Sequence, residues 1–254
     1  PIEERLKSYT PKILRIKLFV YGFSRGGAEA RAFVGRLAEV CGDGLLGAIP
    51  ISIEFLGLLD TVASVGVAAI SGGAEGHMDW ADDSMQLPDD NRLLKVGSCA
   101  HLVSAHEQRL CFPLDSVRRK DGTYPAAVIG EWMYPGVHSD VGGGYPPNDQ
   151  GKGMKEQGLL LSQLALHHLY RLAFDAGAPL RLRKHESMPA NKMADIEVWR
   201  WMDKATELEF ELASELKQRF TAWRKLAGAA APLEDLLLRQ CAQHTAWRIL
   251  RYAG

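Results

Sequence analysis

Short apolar runs and stretches with helical periodicity alternate along the first two thirds of the chain. The apolar runs at residues 16–21, 51–59 and 126–134 predict buried strands, because they are short and rich in β-branched and aromatic side chains. After the first run, residues 29–39 place apolar and charged side chains on opposite faces, as an amphipathic helix does. Strands that alternate with helices predict an α/β fold with a mostly parallel sheet flanked by helices.

Helical periodicity dominates the C-terminal third. Residues 159–174 predict an apolar helix, and the apolar positions at residues 201–223 predict one long amphipathic helix. Residues 233–252 predict a second long helix, which Pro232 opens near its first turn. The pattern therefore divides the chain into an α/β core at residues 1–178 and a mainly helical region at residues 179–254.

The pattern between the second and third strands is mixed. Residues 93–109 look helical. We interpret His101 and His106 as surface or structural side chains, because nothing beside them resembles a nucleophile turn. Residues 112–117 predict a further short strand. Residues 71–92 predict a long surface loop, and its acidic run lacks an EF-hand pattern, which favours solvated carboxylates over a metal site.

A G-x-S-x-G motif, Gly22-Phe23-Ser24-Arg25-Gly26, lies where the first strand meets the first helix. A serine at such a tight turn is held in a strained conformation that presents its hydroxyl, and the two glycines leave room for neighbouring backbone. The N–H of Arg25, at the helix start, is placed to stabilise an oxyanion. The motif therefore indicates a nucleophilic serine; the alternative is a glycine-rich turn with an incidental serine.

An acid and a histidine follow the serine in the order that α/β-hydrolases use. Asp60 ends the second predicted strand, where a hydrolase places the carboxylate that orients its histidine, although an N-cap aspartate would occupy the same position. His138 follows the third strand in a loop rich in glycine and proline. Asp140, two residues on, is a rival for the role of the acid.

The residues after Asp60 are apolar and then rich in glycine. We expect Val62, Val65, Val67 and Ile70 to contribute to a mouth that binds an acyl chain, because they follow the candidate acid directly. The alternative is an ordinary core helix after a strand.

Composition excludes several classes of function. The 254 residues are 46% hydrophobic and 24% charged with a net charge of −1, which is ordinary for a globular protein and gives no global case for nucleic-acid binding. The four cysteines form no C-x-x-C pattern, which favours buried free thiols over a disulfide framework or a metal site. The first residues predict the start of an amphipathic helix and not a signal peptide.

The serine motif lies unusually near the start of this sequence. Only 23 residues precede Ser24, whereas several strands precede the nucleophile in the α/β-hydrolase fold. We therefore expect the N-terminal part of the fold to be absent from this chain. We also expect further polypeptide of the same protein to cover the free edge of the first strand.

Three segments together resemble a known family. The segments are Phe19-Val-Tyr-Gly-Phe-Ser-Arg-Gly-Gly-Ala-Glu-Ala-Arg, Phe55-Leu-Gly-Leu-Leu-Asp-Thr-Val-Ala-Ser-Val-Gly and Pro135-Gly-Val-His-Ser-Asp-Val-Gly-Gly-Gly-Tyr. They resemble the α/β-hydrolase group that contains the first class of type VI secretion lipase effectors, over roughly residues 13–175. That family usually has alanine where this chain has Gly27. The resemblance implies Ser24 as nucleophile, Asp60 as acid and His138 as base.

The resemblance also implies a biological role. It implies an antibacterial phospholipase that is made in the cytoplasm and delivered into the periplasm of a rival cell. Membrane phospholipid would be its substrate, and a secretion spike protein and a cognate immunity protein its partners; no metal or organic cofactor is required. Two alternatives remain, a soluble carboxylesterase or thioesterase and a non-catalytic module that docks on the spike.

Overall fold

The computed structural model describes residues 4–5, 12–63, 85–88, 93–119, 121–154, 156–183, 198–228 and 232–253. Its described strands form one sheet in the order β1-β3-β4-β5, and all three pairings along this order are parallel. The predicted α/β fold with a mostly parallel sheet is therefore confirmed. The strands are β1 (Ile16–Phe23), β2 (Leu45–Leu46, antiparallel to β3), β3 (Ile49–Leu59), β4 (Val96–Ser104) and β5 (Val128–Tyr134).

Helices cover both faces of the sheet. Side chains on one face of β3 and β4 pack with α1, and those on the other face pack with α3, which is why both strands read as nearly continuous apolar runs. Glu54 is an extra residue in β3 opposite β1, and this bulge reverses the alternation, so that Ile53 and Leu56 share one face. The helices are α1 (Arg25–Val40), α2 (His138–Gly142), α3 (Ser162–Asp175), α4 (Lys204–Glu209), α5 (Ser214–Ala227) and α6 (Leu233–Ala253).

Residues 93–109 contain a strand, so the predicted helix is wrong. The strand is β4, whose residues from Cys99 to Ser104 are buried between two neighbouring strands. A short apolar run that is buried on both faces has no period-two pattern, so its periodicity cannot distinguish a strand from a helix. The predicted strand at residues 112–117 is also wrong, because these residues form an irregular loop.

The single long helix predicted at residues 201–223 is interrupted. The first part, α4, ends at Glu209, and α5 begins only at Ser214. Carbonyl oxygens at the end of α4 and just after it accept bonds from α3: Nε2 of Gln163 donates to Glu209 and Nε2 of His167 contacts Phe210, at 2.8 Å and 2.9 Å. These tertiary hydrogen bonds replace those that a continuous helix would make. The helix predicted at residues 233–252 is confirmed as α6.

Other expectations about the chain have mixed outcomes. All four cysteines are free thiols, as predicted, but only Cys41 and Cys99 are buried, while Cys111 and Cys241 are partly exposed. Among the described strands β1 pairs only with β3, so the expectation that further polypeptide covers its other edge stays a prediction. None of the described helices combines the length and apolar composition that a membrane-spanning segment requires.

Candidate active site

Ser24 occupies a strained turn between β1 and α1. Its φ of 59° and ψ of −125° lie in a region that non-glycine residues rarely adopt. The Ser24 N–H donates to the carbonyl of Leu59 at 3.0 Å, and the Ser24 carbonyl accepts from Gly27 and Val62 at 2.9 Å and 3.2 Å. Backbone from β3 and from α1 thus holds the turn in a conformation that it would not keep alone.

The two glycines of the motif have different roles. A Cβ on Gly22 would lie 2.1 Å from the carbonyl oxygen of Gly26, so only glycine fits at residue 22. A Cβ on Gly26 would meet no described atom within 4 Å, so the expectation that Gly26 also provides room stays a prediction. A Cβ on Gly27 would lie 2.6 Å from Oγ1 of Thr61, so an alanine at this position would require Thr61 to shift.

Asp60 lies at the end of β3 and is 3% exposed. Its Oδ1 accepts the Ser104 N–H at 2.7 Å, and its Oδ2 accepts the Ser104 hydroxyl at 2.8 Å. Oδ2 also lies 2.7 Å from Nδ1 of His138. Asp60 itself has a φ of 42°, and its N–H donates to Leu102 at 2.7 Å. The end of β4 therefore fixes the carboxylate that faces the histidine.

His138 connects Asp60 with Ser24. Its Nε2 lies 2.8 Å from Oγ of Ser24, and its ring lies between Phe23 and Phe112, with centroid distances of 4.6 Å and 4.8 Å. Because the Asp60 carboxylate accepts at Nδ1, the Nδ1–H tautomer leaves the Nε2 lone pair facing the serine hydroxyl. This arrangement can take the proton of a nucleophilic serine.

Asp140 does not contact the His138 ring, which confirms the geometric prediction in favour of Asp60. Oδ2 of Asp140 accepts the Val137 N–H at 2.9 Å, and Oδ1 pairs with Nζ of Lys152. Asp140 thus caps α2, the short helix that begins at His138, and shapes the loop after it.

The remaining predicted site residues lie around this centre. Arg25 is the first residue of α1, so its N–H has no partner within the helix and lies at the positive end of the helix dipole. Val62 is 1% exposed and packs behind the serine turn, so its role in acyl binding stays a prediction. Val65, Val67 and Ile70 lie outside the described residues.

The structure adds residues that the sequence did not reveal. Ser104 holds the acid, Phe23 and Phe112 enclose the histidine ring, and the Glu107 carboxylate accepts the backbone N–H of His138 at 3.1 Å. Ser104 and Glu107 follow from the position of β4, because side chains at the carboxyl ends of neighbouring parallel strands meet at one edge of a sheet. A correct assignment of β4 would have pointed to both.

The two histidines of the misassigned region are structural, which agrees with the expectation of a surface or structural role. His101 is fully buried and pairs with Glu131, while His106 is half-buried and contacts Gly136 and Gln240. Within the described ranges, no group of three or more His, Cys, Asp or Glu side chains could hold a metal ion.

A cavity of about 270 Å³ opens beside α2. Its lining begins at Ser139, the residue after His138, and includes Asp140, Tyr145 and Lys152 together with the start of α3. Asp140 and Lys152 pair with each other, so they present no net charge to the cavity. None of the described lining residues is Ser24, Asp60 or His138, which places this space next to the serine–histidine pair and not over it.

Comparison with known proteins identifies relatives. Residues 45–171 match the model of the catalytic domain of Tle1-like phospholipase effectors of the type VI secretion system; this range contains Asp60 and His138 and begins after Ser24. A crystal structure of an uncharacterized protein from Pseudomonas aeruginosa is 45% identical with a TM-score of 0.80. The match covers 100% of this chain and 34% of that chain, so this chain spans about a third of its length.

A second solved structure is more distant. The Tle1 effector bound to the VgrG spike of the type VI secretion system is 20% identical with a TM-score of 0.43. That match covers 92% of this chain and 59% of the other. No curated protein matches the chain.

Proposed function

The chain belongs to the family of Tle1-like phospholipase effectors of the type VI secretion system, and from this membership we propose that it hydrolyses acyl esters of membrane phospholipids with Ser24 as the nucleophile. The observation that carries the proposal is the continuous line of hydrogen bonds from Ser24 through His138 to Asp60, with distances of 2.8 Å and 2.7 Å. Asp60 and His138 lie in the part of the chain that matches the family model, and Ser24 lies on a turn of the nucleophile-elbow type.

Acylation begins when Oγ of Ser24 attacks the ester carbonyl carbon. Nε2 of His138 takes the hydroxyl proton, and the Asp60 carboxylate stabilises the imidazolium that results. The N–H of Arg25 stabilises the oxyanion of the tetrahedral intermediate. The intermediate collapses when the carbon–oxygen bond to the lysophospholipid breaks and Nε2 returns the proton to the leaving alkoxide. The product is an acyl ester on Ser24.

Deacylation repeats these proton transfers with water. Nε2 of His138 takes a proton from the water that attacks the acyl-enzyme, and then returns it to Oγ of Ser24 as the fatty acid leaves. Ser104 contributes indirectly, because its two hydrogen bonds hold the Asp60 carboxylate in place through the cycle. Burial of the histidine between Phe23 and Phe112 strengthens its bond to Asp60 by limiting access of water.

Family membership supports the remaining proposals. As a type VI effector, the protein would be made in the cytoplasm, carried by a spike protein and delivered to the periplasm of a target bacterium. There phospholipid would be its substrate, and an immunity protein would protect the producing cell. These partners are proposed for the whole protein. The chain spans about a third of the length of its 45% identical relative.

Product analysis on defined phospholipids tests the activity. The full-length protein and its Ser24→Ala variant are incubated with vesicles of single phospholipids and with a short soluble ester, and products are identified by mass spectrometry. We expect fatty acid and lysophospholipid from the wild type only, with vesicles hydrolysed faster than the monomeric ester. Hydrolysis of the soluble ester alone would favour a carboxylesterase, and no hydrolysis of either would favour a non-catalytic docking module.

A further inference from the structure

The segment after β4 pairs with the loop that carries His138. The Ala105 N–H donates to the Tyr134 carbonyl at 2.8 Å, which extends the β4–β5 pairing by one step. His106 and Gly136 then form two hydrogen bonds: the His106 N–H donates to the Gly136 carbonyl, and Nδ1 of His106 accepts the Gly136 N–H, both at 3.0 Å. The backbone two residues before His138 is thus fixed against this segment.

Glu107 extends this contact to His138 itself. Its Oε2 accepts the His138 N–H at 3.1 Å, and its side chain is only 6% exposed. A buried carboxylate that binds a single backbone N–H is costly unless further donors satisfy it. Arg109 supplies them, since its Nε and backbone N–H donate to Oε1 at 2.8 Å and 2.9 Å, and Nη2 donates to Oε2 at 2.5 Å.

Arg109 also connects Glu107 with the histidine ring, through Phe112. The guanidinium lies 4.3 Å from the centroid of the Phe112 ring, and Phe112 in turn lies 4.8 Å from the His138 ring at an angle of 35°. Glu107 therefore contacts the histidine backbone directly, and through Arg109 it holds the aromatic ring that covers one face of the imidazole. A single carboxylate organises both contacts.

The carboxylate is ionised at neutral pH. Burial alone would raise the pKa of Glu107, but the hydrogen bonds from Arg109 and from the His138 N–H outweigh burial and lower the pKa. An ionised acceptor forms a stronger hydrogen bond with a backbone N–H than a neutral one does.

We propose that Glu107 is the positioning residue for His138, holding its backbone by a direct hydrogen bond and its ring through Arg109 and Phe112. This inference rests on the proposed function, in which His138 is the general base. Glu107 touches neither substrate nor the reacting atoms, so it acts only through the distance and angle between Nε2 and the Ser24 hydroxyl. Small displacements of a catalytic group lower the rate of the chemical step and leave substrate binding unchanged.

The adjacent residue provides a matched control. The amide of Gln108 points away from the histidine and donates to Oγ1 of Thr245 on α6 at 3.3 Å. Gln108→Ala therefore changes the same segment without touching the contacts of His138. Glu107→Gln is the conservative variant, because its amide oxygen can still accept the His138 N–H while it loses the ion pair with Arg109.

Kinetics on a short soluble ester test the proposal in the full-length protein. Glu107→Ala should lower kcat on the order of 10- to 100-fold with KM unchanged, and Gln108→Ala should leave both unchanged. Labelling of Ser24 by a fluorophosphonate should slow by the same factor as kcat. Glu107→Gln keeps an acceptor for the His138 N–H and loses the ion pair with Arg109, so it should recover part of kcat. Equal kcat values for the two alanine variants, or no recovery with glutamine, would overturn the proposal.

A spectroscopic measurement keeps the test independent of catalysis. The Nδ1 proton of His138, in its bond to Asp60, should give a strongly downfield proton NMR resonance that His138→Ala removes. We expect this resonance to persist in Gln108→Ala, to broaden partly in Glu107→Gln and to be lost or most strongly broadened in Glu107→Ala. If Glu107→Ala does not fold, Arg109→Ala takes its place, with broadening expected because Phe112 loses its support. An unchanged resonance would overturn the inference, whereas a wild type unreactive at Ser24 would overturn only the proposed function.

Discussion

Two buried histidine–carboxylate pairs occupy neighbouring positions in the sheet and have nearly the same geometry. Nδ1 of His138 lies 2.7 Å from Asp60, and Nδ1 of His101 lies 2.7 Å from Glu131. Both pairs are removed from water, with His101 and Glu131 at most 1% exposed and His138 and Asp60 at most 7%. Neither burial nor the presence of a carboxylate therefore distinguishes His138, the proposed catalytic histidine, from the structural His101.

The pairs differ in what the second ring nitrogen contacts. Nε2 of His138 lies 2.8 Å from the hydroxyl of Ser24, on a strained turn. Nε2 of His101 instead accepts the backbone N–H of Thr61 at 3.1 Å. A hydroxyl can transfer its proton to an imidazole during attack on an ester, whereas a peptide N–H cannot at neutral pH. The lone pair of His101 is thus fixed in a static bond that supports the turn after Asp60.

The largest expected effect comes from removing the group that Nε2 of His138 faces. Ser24→Ala should lower ester hydrolysis on the order of 10⁴-fold or more and leave the melting temperature nearly unchanged, because only a hydroxyl is lost. His138→Ala should cost about as much, since the members of a triad act as a unit. Hydrolysis of a chromogenic ester measures the activity, and thermal melts measure the melting temperature. Near-native activity of Ser24→Ala would mean that the contact of His138 with Ser24 does not set it apart from His101.

The carboxylate of the same pair gives the next effect. Asp60→Asn should lower kcat on the order of 10³- to 10⁴-fold, because the amide no longer selects the Nδ1–H tautomer of His138. Asp140→Asn is the matched control, since Asp140 contacts Val137 and Lys152 and not the ring. We expect it to change kcat by less than about tenfold. A larger loss in Asp140→Asn than in Asp60→Asn, measured on the same ester, would contradict this assignment.

Sequence could predict those parts of the site that depend on neighbouring residues or on the order of residues along the chain. The serine turn is encoded by Gly22 and by the strand and helix on either side, and Asp60 and His138 each follow a recognisable strand. Residue type, spacing and order made these three candidates, because the carboxyl ends of parallel strands lie at one edge of the sheet, but they left Asp140 open as a rival for the acid. Their mutual distances confirm the geometric prediction.

The parts that could not be predicted depend on tertiary contacts. Residues 93–109 predict a helix and not the strand β4, because burial on both faces removes the alternation that marks a strand, and without β4 nothing points to Ser104 and Glu107. The break between α4 and α5 follows from hydrogen bonds to α3, which leave no trace in periodicity. The contact of Phe112 with the His138 ring joins an irregular loop to the start of α2, and neither aromatic character nor spacing predicts it.

The pair of His101 and Glu131 should affect stability and not catalysis. Glu131→Gln leaves the buried His101 with a weaker partner and removes the acceptor charge that Ser116 and Tyr124 also contact at 2.8 Å and 2.9 Å. We expect the free energy of unfolding to fall by about 2–4 kcal/mol. The kcat of the folded fraction, counted by active-site titration with a fluorophosphonate, should stay within about threefold of the wild type. A loss of 100-fold in kcat with unchanged stability would show that this pair, too, takes part in catalysis.

The smallest expected effect is the pH dependence of the destabilisation caused by Glu131→Gln. It is also the sharpest test of the charge state of Glu131. Burial on its own would raise the pKa of Glu131, but hydrogen bonds from His101, Ser116 and Tyr124 outweigh it and lower the pKa from 4.5 to about 2. Because the folded-state pKa is the lower one, the ionised carboxylate stabilises the protein fully above pH 4.5, and this stability is lost as the pH falls towards 2.

The difference in unfolding free energy between wild type and Glu131→Gln should therefore be larger at pH 5 than at pH 3, by about 2 kcal/mol. Urea denaturation of both proteins at the two pH values measures it, and subtraction removes the titration of the other carboxylates. Glu39→Gln is the control, because Glu39 is exposed on α1 and pairs only with Arg36 in the described part of the chain. Its difference from the wild type should be near zero at both pH values. A difference for Glu131→Gln that stays constant from pH 5 to pH 3 would mean that folding does not lower the pKa of Glu131, and that the carboxylate is not held ionised.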